Sequence, residues 1–334
     1  MFASVLGLGA LASGPAFAAP EPWYARAGCH AALEEVLTGD AQAAEAALRP
    51  LEKSRDADNV ACAVYLRAVE ADLDRAIGDG SERQRDRALR RMLGFAKAHA
   101  KYGPRFADLE IDARMRRVRA LFERDDKTAA LREARRVNDL LDERRGASSP
   151  TLDFARGAMY SALGQAGDVA RWFLGMAGLG GDPKDGYRAL RRLTEGSSVY
   201  RAEALQLARQ FAADADDTTA LGDAVALGER LVALYPMNPQ YAYDHAYGLL
   251  KKGQPDRALD VLGPHLKAIE AAPDRWAPTM RAKLHYVASR AALKAGAVAS
   301  ARAHRDAMAQ VAPNDYASRL PGLTRAVERA EARE

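Results

Sequence analysis

The sequence predicts an all-α protein, and three observations lead to this prediction. Alanine, the strongest helix former, supplies roughly a fifth of the 334 residues. The β-branched residues that favour strands are scarce, and isoleucine occurs only as Ile77, Ile111 and Ile269. Apolar residues recur at i, i+3, i+4 and i+7 through most of the chain, as one face of a helix requires. This composition excludes an all-β fold and disfavours a parallel α/β sheet.

Turns rich in glycine, proline and aspartate divide the chain into successive helices. They fall at residues 38–40, 78–81, 103–104 and 146–150. The last of them follows Arg144 and Arg145 and predicts a boundary between an N-terminal and a C-terminal part. The predicted helices are 22–38, 41–54, 59–77, 82–100, 105–123, 127–143, 151–164, 168–177, 185–195, 198–213, 218–235, 239–252, 255–270, 277–295, 298–311 and 316–332.

Residues 1–18 have the pattern of an export signal. They carry no charged side chain, the run from Phe2 to Leu11 is apolar, and Ala16-Phe17-Ala18 is a small-residue cleavage pattern. This order predicts cleavage after Ala18. The chain contains no Asn-x-Ser/Thr site, which fits a bacterial periplasm better than a eukaryotic secretory route. The alternative is that residues 1–20 are retained as a membrane anchor, although this segment is short and contains Pro15.

The C-terminal third of the chain contains a Gly-x4-Ala-x11-Pro spacing, complete once and in part twice. Glycine ends the first helix of a pair at the turn, a small alanine lets the second helix pack closely, and proline ends the second helix. Two of the alanines, Ala224 and Ala258, are 34 residues apart. The residues that carry the pattern are Ala224, Pro236, Gly253, Ala258, Gly296, Ala301 and Pro313.

This pattern resembles the tetratricopeptide repeat, a helix–turn–helix unit of about 34 residues. The resemblance covers about residues 205–315 and is looser upstream, where Gly39 and Ala44 keep the five-residue spacing. It implies an all-α, right-handed solenoid in which helix pairs stack on one another. We therefore expect a signal peptide over residues 1–18, degenerate helical repeats over 19–145 and tetratricopeptide-like repeats over 146–334.

Cys29 and Cys62 are the only cysteines, and they predict a disulfide. They are 33 residues apart and occupy similar places in the first helices of two successive pairs. In a repeat stack those helices lie side by side. An even number of cysteines in an exported chain is typical of a disulfide. The alternative is a pair of small, buried apolar side chains.

The sequence contains no arrangement typical of catalysis or metal binding, so we expect neither an enzyme nor a cofactor or metal site. A phosphate loop at Gly178, Gly180 and Gly181 would need a Gly-Lys dipeptide, which is absent from the chain. The six histidines lack zinc-site spacing, and adjacent acids on a helix do not face each other. His285 and His304 are expected to be partly buried packing residues on the two helices of one pair.

The charge is nearly balanced, with 49 basic and 45 acidic side chains and a formal net charge of +4. Basic residues cluster at positions 83–91 and 114–119, with acids nearby and no aromatic side chain among them. Nucleic-acid binding needs a strongly basic surface with stacking rings, so we expect no nucleic-acid partner. Both clusters are interpreted as solvated helix faces with i,i+4 ion pairs.

The resemblance also implies a binding groove. In tetratricopeptide units the first helix lines a concave face, and counting back from Ala258 and Ala301 places tyrosines and cations on that face. Tyrosine and arginine are typical binding anchors, so the expected ligand is an acidic or carboxylate-bearing peptide. The alternative is that the tyrosines pack on neighbouring helices and the cations are ordinary surface residues. The predicted groove residues are Tyr243, Tyr247, Lys251, Lys283, Tyr286, Arg290 and Lys294.

The sequence therefore predicts an exported, non-enzymatic scaffold for protein–protein interaction, with a bacterial cell-envelope assembly as one setting. The expected partner is a protein or peptide, and membrane association is expected only through a partner or an uncleaved N-terminus. A second interpretation is a membrane-tethered accessory subunit that keeps residues 1–20 as an anchor. A third, ranked below both, is an enzyme with a site in the loop 175–186.

Overall fold

The computed structural model describes residues 22–38, 41–78, 80–165, 182–214 and 218–333. All regular secondary structure in these residues is helical, which confirms the predicted all-α class. The α-helices are α1 (Ala27–Thr38), α2 (Ala41–Glu52), α3 (Ala57–Ile77), α4 (Glu82–His99), α5 (Pro104–Glu123), α6 (Lys127–Glu143), α7 (Pro150–Gln165), α8 (Pro183–Glu195), α9 (Arg201–Asp214), α10 (Thr218–Leu234), α11 (Pro239–Lys251), α12 (Pro255–Ala271), α13 (Pro278–Lys294), α14 (Val298–Val311), α15 (Asn314–Ala317) and α16 (Leu320–Glu331).

Most predicted helices agree closely with the observed bounds, and two differ. The first predicted helix begins as a 3-10 turn at Trp23–Ala25 before α1 starts. The last one is divided into α15 and α16, because Pro321 lies in the first turn of α16 and has no N–H with which to continue a preceding helix. The predicted helix at 168–177 lies outside the described residues.

Helix boundaries follow local sequence chemistry. Asp56, Asp126 and Asn238 cap α3, α6 and α11, since each side chain accepts a backbone N–H from the first turn. Gly253 and Gly296 follow α11 and α13 with φ angles of 76° and 79°. Glycine adopts this left-handed conformation without steric cost. The two glycines therefore have the turn role that the repeat pattern predicted.

Helices that follow one another mostly pack together, and in four places the first helices of successive pairs are also in contact. Most described helices pack against the next described helix, with α6–α7 and α14–α15 as exceptions, and α1 also contacts α3, α3 contacts α5, α5 contacts α7, and α11 contacts α13. In addition, α3 contacts α11. The N-terminal helices therefore meet the C-terminal ones directly, beyond the contacts between neighbouring pairs.

The largest apolar cluster of the described residues extends from Trp23 to Tyr241. At its centre are the fully buried rings of Trp23, Tyr65 and Tyr200. The ring centroids of Trp23 and Tyr65 are 5.1 Å apart, and those of Tyr65 and Tyr200 are 5.2 Å apart. Residues on both sides of the predicted boundary at 145 contribute to this cluster.

Arg85, Arg114 and Arg116 are buried, so the prediction that both basic clusters are solvated is wrong for these three residues. The spacing of apolar residues in a sequence indicates which face of a helix is buried. It does not indicate which polar residues of that helix become buried under another helix. A buried guanidinium is tolerated when carboxylates compensate its charge. The partners are Asp72 and Glu123 for Arg85, Glu110 and Glu133 for Arg114, and Asp72, Asp112 and Glu203 for Arg116.

Cys29 and Cys62 form a disulfide between α1 and α3, with Cα atoms 5.8 Å apart. Both residues are buried. The predicted disulfide is therefore present, and it joins two first helices that pack side by side.

The end of α3 and the start of α13 approach each other closely. Gly78 follows α3 with a φ angle of 95°, and a Cβ atom at this position would lie 2.5 Å from the Cβ of Thr279. Both the backbone conformation and the space therefore require glycine. An apolar cavity of about 740 Å³ lies between the N-terminal helices and α11–α13. Its lining includes Leu73, Ile77, Met237, Ala268, Trp276 and Met280.

Candidate functional site

The predicted groove residues lie on α11 and α13, two first helices that are in contact. Their spacing of three or four residues places each set on one helix face. On α11 the residues are Tyr243, Tyr247 and Lys251, and on α13 they are Lys283, Tyr286, Arg290 and Lys294.

A fourth tyrosine connects the rings of the two helices. Tyr243 and Tyr247 are nearly parallel, with ring centroids 6.2 Å apart. The hydroxyl oxygen of Tyr243 is 3.2 Å from that of Tyr316 on α15, and the Tyr316 ring stands edge-on to Tyr286 at 6.2 Å. We call Tyr247, Tyr243, Tyr316 and Tyr286 the aromatic row.

Every ring of the aromatic row has a cation against it. A cation within about 6 Å of a ring centroid is attracted by the negative face of the ring. The distances from cation to ring centroid are 5.4 Å for Lys251 and Tyr247, 5.6 Å for Lys283 and Tyr243, 5.6 Å for Arg290 and Tyr286, and 4.8 and 5.3 Å for Arg319 with Tyr316 and Tyr286.

Tyr316 and Arg319 are members of this cluster that the sequence reasoning missed. They follow Pro313, beyond the last repeat, and the counting of repeat positions does not reach them. An aromatic residue and an arginine three residues apart in a terminal helix were the available signal. That signal does not indicate which neighbouring helix the segment packs against.

Lys283 has a structural contact that its predicted place on a groove wall did not indicate. Its ammonium donates hydrogen bonds to the carbonyl oxygen of Ala76 at 2.5 Å and to the Gln240 side chain at 3.1 Å. The first bond joins α13 to the end of α3. Burial lowers the pKa of the Lys283 ammonium below its ordinary value. The Lys283 ammonium adds positive charge to the cluster, but it already donates hydrogen bonds to acceptors within the protein.

The hydroxyls of Tyr243 and Tyr316 remain protonated at neutral pH. Burial raises the pKa of the Tyr243 and Tyr316 hydroxyls above the ordinary value. Tyr316 is buried, whereas Tyr243, Tyr247 and Tyr286 are partly exposed. The accessible part of the row therefore offers tyrosine rings and hydroxyls to a ligand.

Four cations of the cluster have no carboxylate partner among the described residues, namely Lys251, Arg290, Lys294 and Arg319. Arg290 donates to the Tyr286 hydroxyl at 3.3 Å, and Lys294 donates to the Leu250 carbonyl oxygen at 3.2 Å.

Asp244, an acid on α11, is already paired. It accepts a hydrogen bond from Gln206 at 2.6 Å and lies 3.3 Å from Arg209. The cluster thus carries net positive charge, which can orient carboxylate groups.

The other chemical candidates of the sequence have different outcomes. His285 and His304 lie on the two helices of one pair with their Nδ1 atoms 3.3 Å apart, as their predicted packing role implies. The part of the chain that the structure describes holds no cluster of three or more potential metal ligands. Gly178, Gly180 and Gly181, and most of the loop 175–186, lie outside the described residues.

Comparison of the chain with protein-family models, curated protein sequences and solved structures gives no match. The tetratricopeptide resemblance therefore depends on the residue spacing within this chain.

Proposed function

We propose that the protein is an exported, non-enzymatic scaffold that binds an acidic or carboxylate-bearing peptide segment over the aromatic row. A cell-envelope assembly in a bacterial periplasm is the proposed setting. The surrounding cations orient the ligand carboxylates and raise the association rate. The tyrosine rings supply contact area, and their hydroxyls can form hydrogen bonds with the ligand.

One observation carries this proposal. Lys251, Arg290, Lys294 and Arg319 lie around the row without a carboxylate partner among the described residues, whereas Arg116 in the interior is matched by three carboxylates. Cations held close together repel one another. An anionic ligand would relieve this repulsion, and a neutral or cationic ligand would not.

We also propose that the helix pairs form a right-handed solenoid of tetratricopeptide-like repeats. Two features support this architecture. The turn glycines Gly253 and Gly296 have positive φ angles. Ala258 and Ala301, the small residues of the pattern, are fully buried, as close packing of a helix pair needs.

We further propose that the protein is exported. The Cys29–Cys62 disulfide supports it, because disulfides persist mainly in oxidising compartments. Among the helices of the described ranges, none combines the length and apolar composition needed to cross a bilayer. N-terminal sequencing of exported protein should give Ala19 as the first residue. Exported material that begins with Met1 would contradict the cleavage and favour the retained anchor.

Binding can be tested with a fluorescent polyglutamate peptide, followed by anisotropy. Wild-type protein should bind this probe, and binding should weaken as salt rises, because exposed charges are screened over about 8–10 Å at physiological ionic strength. A variant with Arg290→Glu and Lys294→Glu should bind about tenfold more weakly or worse. Its helix content should be unchanged, since glutamate is also a good helix former.

The matched control places the same charge change on another helix. Arg135 and Arg136 are exposed on α6, and their reversal to glutamate should leave probe binding close to that of wild type. Equal loss in both variants would indicate that net charge alone governs binding. A groove variant that binds like wild type would exclude the aromatic row as the binding site.

A further inference from the structure

The solvent side of α4 carries a stripe of cations. Arg83, Arg87, Arg90 and Lys97 are all exposed, and exposed Lys101 follows in the next 3-10 turn. At about 100° per residue, the four helical members fall within an arc of about 80°. At about 1.5 Å per residue, the stretch from Arg83 to Lys97 is about 21 Å long.

The stripe has no acidic counterpart. Within the described residues, none of its five cations forms an ion pair. The two acids of α4 are paired away from it, Glu82 with Arg75 at 2.7 Å and Asp86 with Arg124 at 2.8 Å. The charge of the stripe therefore faces solvent uncompensated.

Other arginines of the same helix are paired, so the stripe differs from its surroundings. Arg85 is buried between carboxylates, and Arg91 lies 3.0 Å from Glu52 on α2. The unpaired cations are those on the solvent side. A run of like charges along one face repels itself, and this repulsion falls when an anionic surface covers the face.

The stripe stands on a rigid support. Ser81 and Gln84 form a capping box at the start of α4. Leu89, Met92 and Ala96 are buried on the opposite side of the helix. These contacts fix the direction in which the cations project, so that a partner meets them as one ridge.

A single exposed aromatic residue ends the stripe. Tyr102 is 61% exposed, and the ammonium of Lys101 lies 5.0 Å from its ring centroid. Gly94 lies within the stripe, and a Cβ atom there would meet no other atom within 4 Å. At this position, therefore, no side chain lies between the cations and a flat partner.

We propose that this stripe, Arg83, Arg87, Arg90, Lys97 and Lys101 with Tyr102, docks the protein on an anionic phospholipid bilayer. Juxtaposed lysines and arginines attract anionic headgroups over about a Debye length, and tyrosine suits the headgroup layer. The helix would lie parallel to the membrane without insertion. This route to a membrane needs neither a partner nor an uncleaved N-terminus, and it is independent of the aromatic row.

The geometry favours a bilayer over nucleic acid. A convex ridge with its cations on one side matches a plane of mobile headgroups. A nucleic-acid strand is held in a groove that tracks its backbone, with aromatic side chains on which successive bases stack. The stripe has one aromatic side chain, at its end, and none between its cations.

Cosedimentation of full-length protein with vesicles tests the proposal. Wild type should bind vesicles made of equal parts phosphatidylglycerol and phosphatidylcholine, and should not bind phosphatidylcholine alone. Replacing Arg83, Arg87 and Arg90 by glutamate should weaken binding by at least about 100-fold, since each lost cation contributes about fivefold and each added glutamate is repelled by the headgroups. Raised salt should release the wild type.

The control variant reverses three exposed cations that lie on different helices, Arg135, Lys267 and Arg325. It should bind the anionic vesicles within a few-fold of wild type, as should the groove variant of Arg290 and Lys294. Circular dichroism should give the same helix content for all variants. A stripe variant that binds like wild type would overturn the proposal.

Two other outcomes would also overturn it. Equal binding to phosphatidylcholine vesicles would assign the attachment to an apolar segment such as an uncleaved N-terminus. Tighter binding of wild type to a DNA duplex than to anionic vesicles, at equal phosphate concentration and lost in the stripe variant, would assign the stripe to nucleic acid instead.

Discussion

The side chain of Asn238 donates a hydrogen bond of 2.7 Å to the backbone carbonyl oxygen of Leu37, across 201 residues of chain. The same side chain caps α11 by accepting the backbone N–H groups of Gln240 and Tyr241. Leu37 lies in the last turn of α1, where carbonyl groups lack a helical partner. One buried side-chain amide therefore provides hydrogen-bond partners for backbone groups at the start of α11 and at the end of α1.

Replacing Asn238 by aspartate separates these two functions. Aspartate caps a helix as well as asparagine does, but it cannot donate to the Leu37 carbonyl. We expect Asn238→Asp to lower the free energy of unfolding by about 1–3 kcal/mol, the usual cost of a buried group without a partner. Urea denaturation at neutral pH measures this change.

The control for Asn238→Asp is the opposite substitution, aspartate to asparagine, at an exposed helix N-cap. Asp126 accepts the Ala129 N–H at the start of α6 and is exposed. Asp126→Asn should change stability by less than about 0.5 kcal/mol. Similar losses for both variants would mean that the contact with Leu37 contributes nothing.

The disulfide should contribute measurably to stability. Cys29 and Cys62 close a loop of 33 residues in the unfolded chain. Changing both to alanine should lower the free energy of unfolding by about 2–4 kcal/mol, as loop closure predicts. A reducing agent should produce a comparable loss in the wild type and none in the double variant. No difference between the oxidised wild type and the double variant would contradict this prediction.

Arg116 should be the most sensitive arginine of α5. Its guanidinium lies 2.9 Å from Asp72, 3.1 Å from Asp112 and 2.6 Å from Glu203. Arg116→Met leaves these carboxylates without their shared cation, and we expect a loss of about 3–5 kcal/mol in urea denaturation.

Arg119 provides the matched control on the same helix. It is 59% exposed and pairs with Glu123 at 2.9 Å, so Arg119→Met should cost less than about 1 kcal/mol. The deficit of Arg116→Met should shrink as the pH is lowered, because burial raises the pKa of Asp112 and this carboxylate is then neutralised. Equal deficits in the two variants would refute the compensating role of Arg116.

His245 should make the protein less stable in mild acid. It is buried on α11 against Gly228, its Nδ1 atom has no hydrogen-bond partner within the described residues, and burial lowers its pKa to about 4. The unfolded chain then binds a proton near pH 6.5, while the folded protein binds it only near pH 4. Stability contributed by neutral His245 is present at pH 7 and is lost as the pH falls through this window, by about 3 kcal/mol in total.

A comparison of variants isolates this effect. Burial raises the pKa of Asp112, and such a carboxyl stabilises the fold as pH falls, which opposes His245. The His245→Gln variant removes only the histidine titration. Between pH 7 and pH 5, its unfolding free energy should fall by about 2 kcal/mol less than that of wild type. Parallel pH profiles would contradict the prediction.

The sequence predicted the features that depend on a single helix or on one helix pair. The positions of Gly253, Ala258, Gly296 and Ala301 indicated the helix pairs, and residue spacing placed the tyrosines and cations of α11 and α13 on one face. The contact of Tyr316 with that face depends on how the C-terminal segment folds back, which no local period contains. The burial of Arg116 and the Lys283–Ala76 bond likewise depend on which distant helix covers each residue.

The ends of α1 and α3 form hydrogen bonds with the start of α11 and with α13. These contacts constrain the number of helices between the two parts of the chain. An open array can gain or lose a repeat at its end, because each unit touches only its neighbours. Here, deletion of one helix pair would displace Asn238 from Leu37 by about 10 Å, the diameter of a helix with its side chains. The bonds from Asn238 and Lys283 to the N-terminal helices would then be lost. Relatives with this contact should therefore keep the number of helix pairs and vary in turn length.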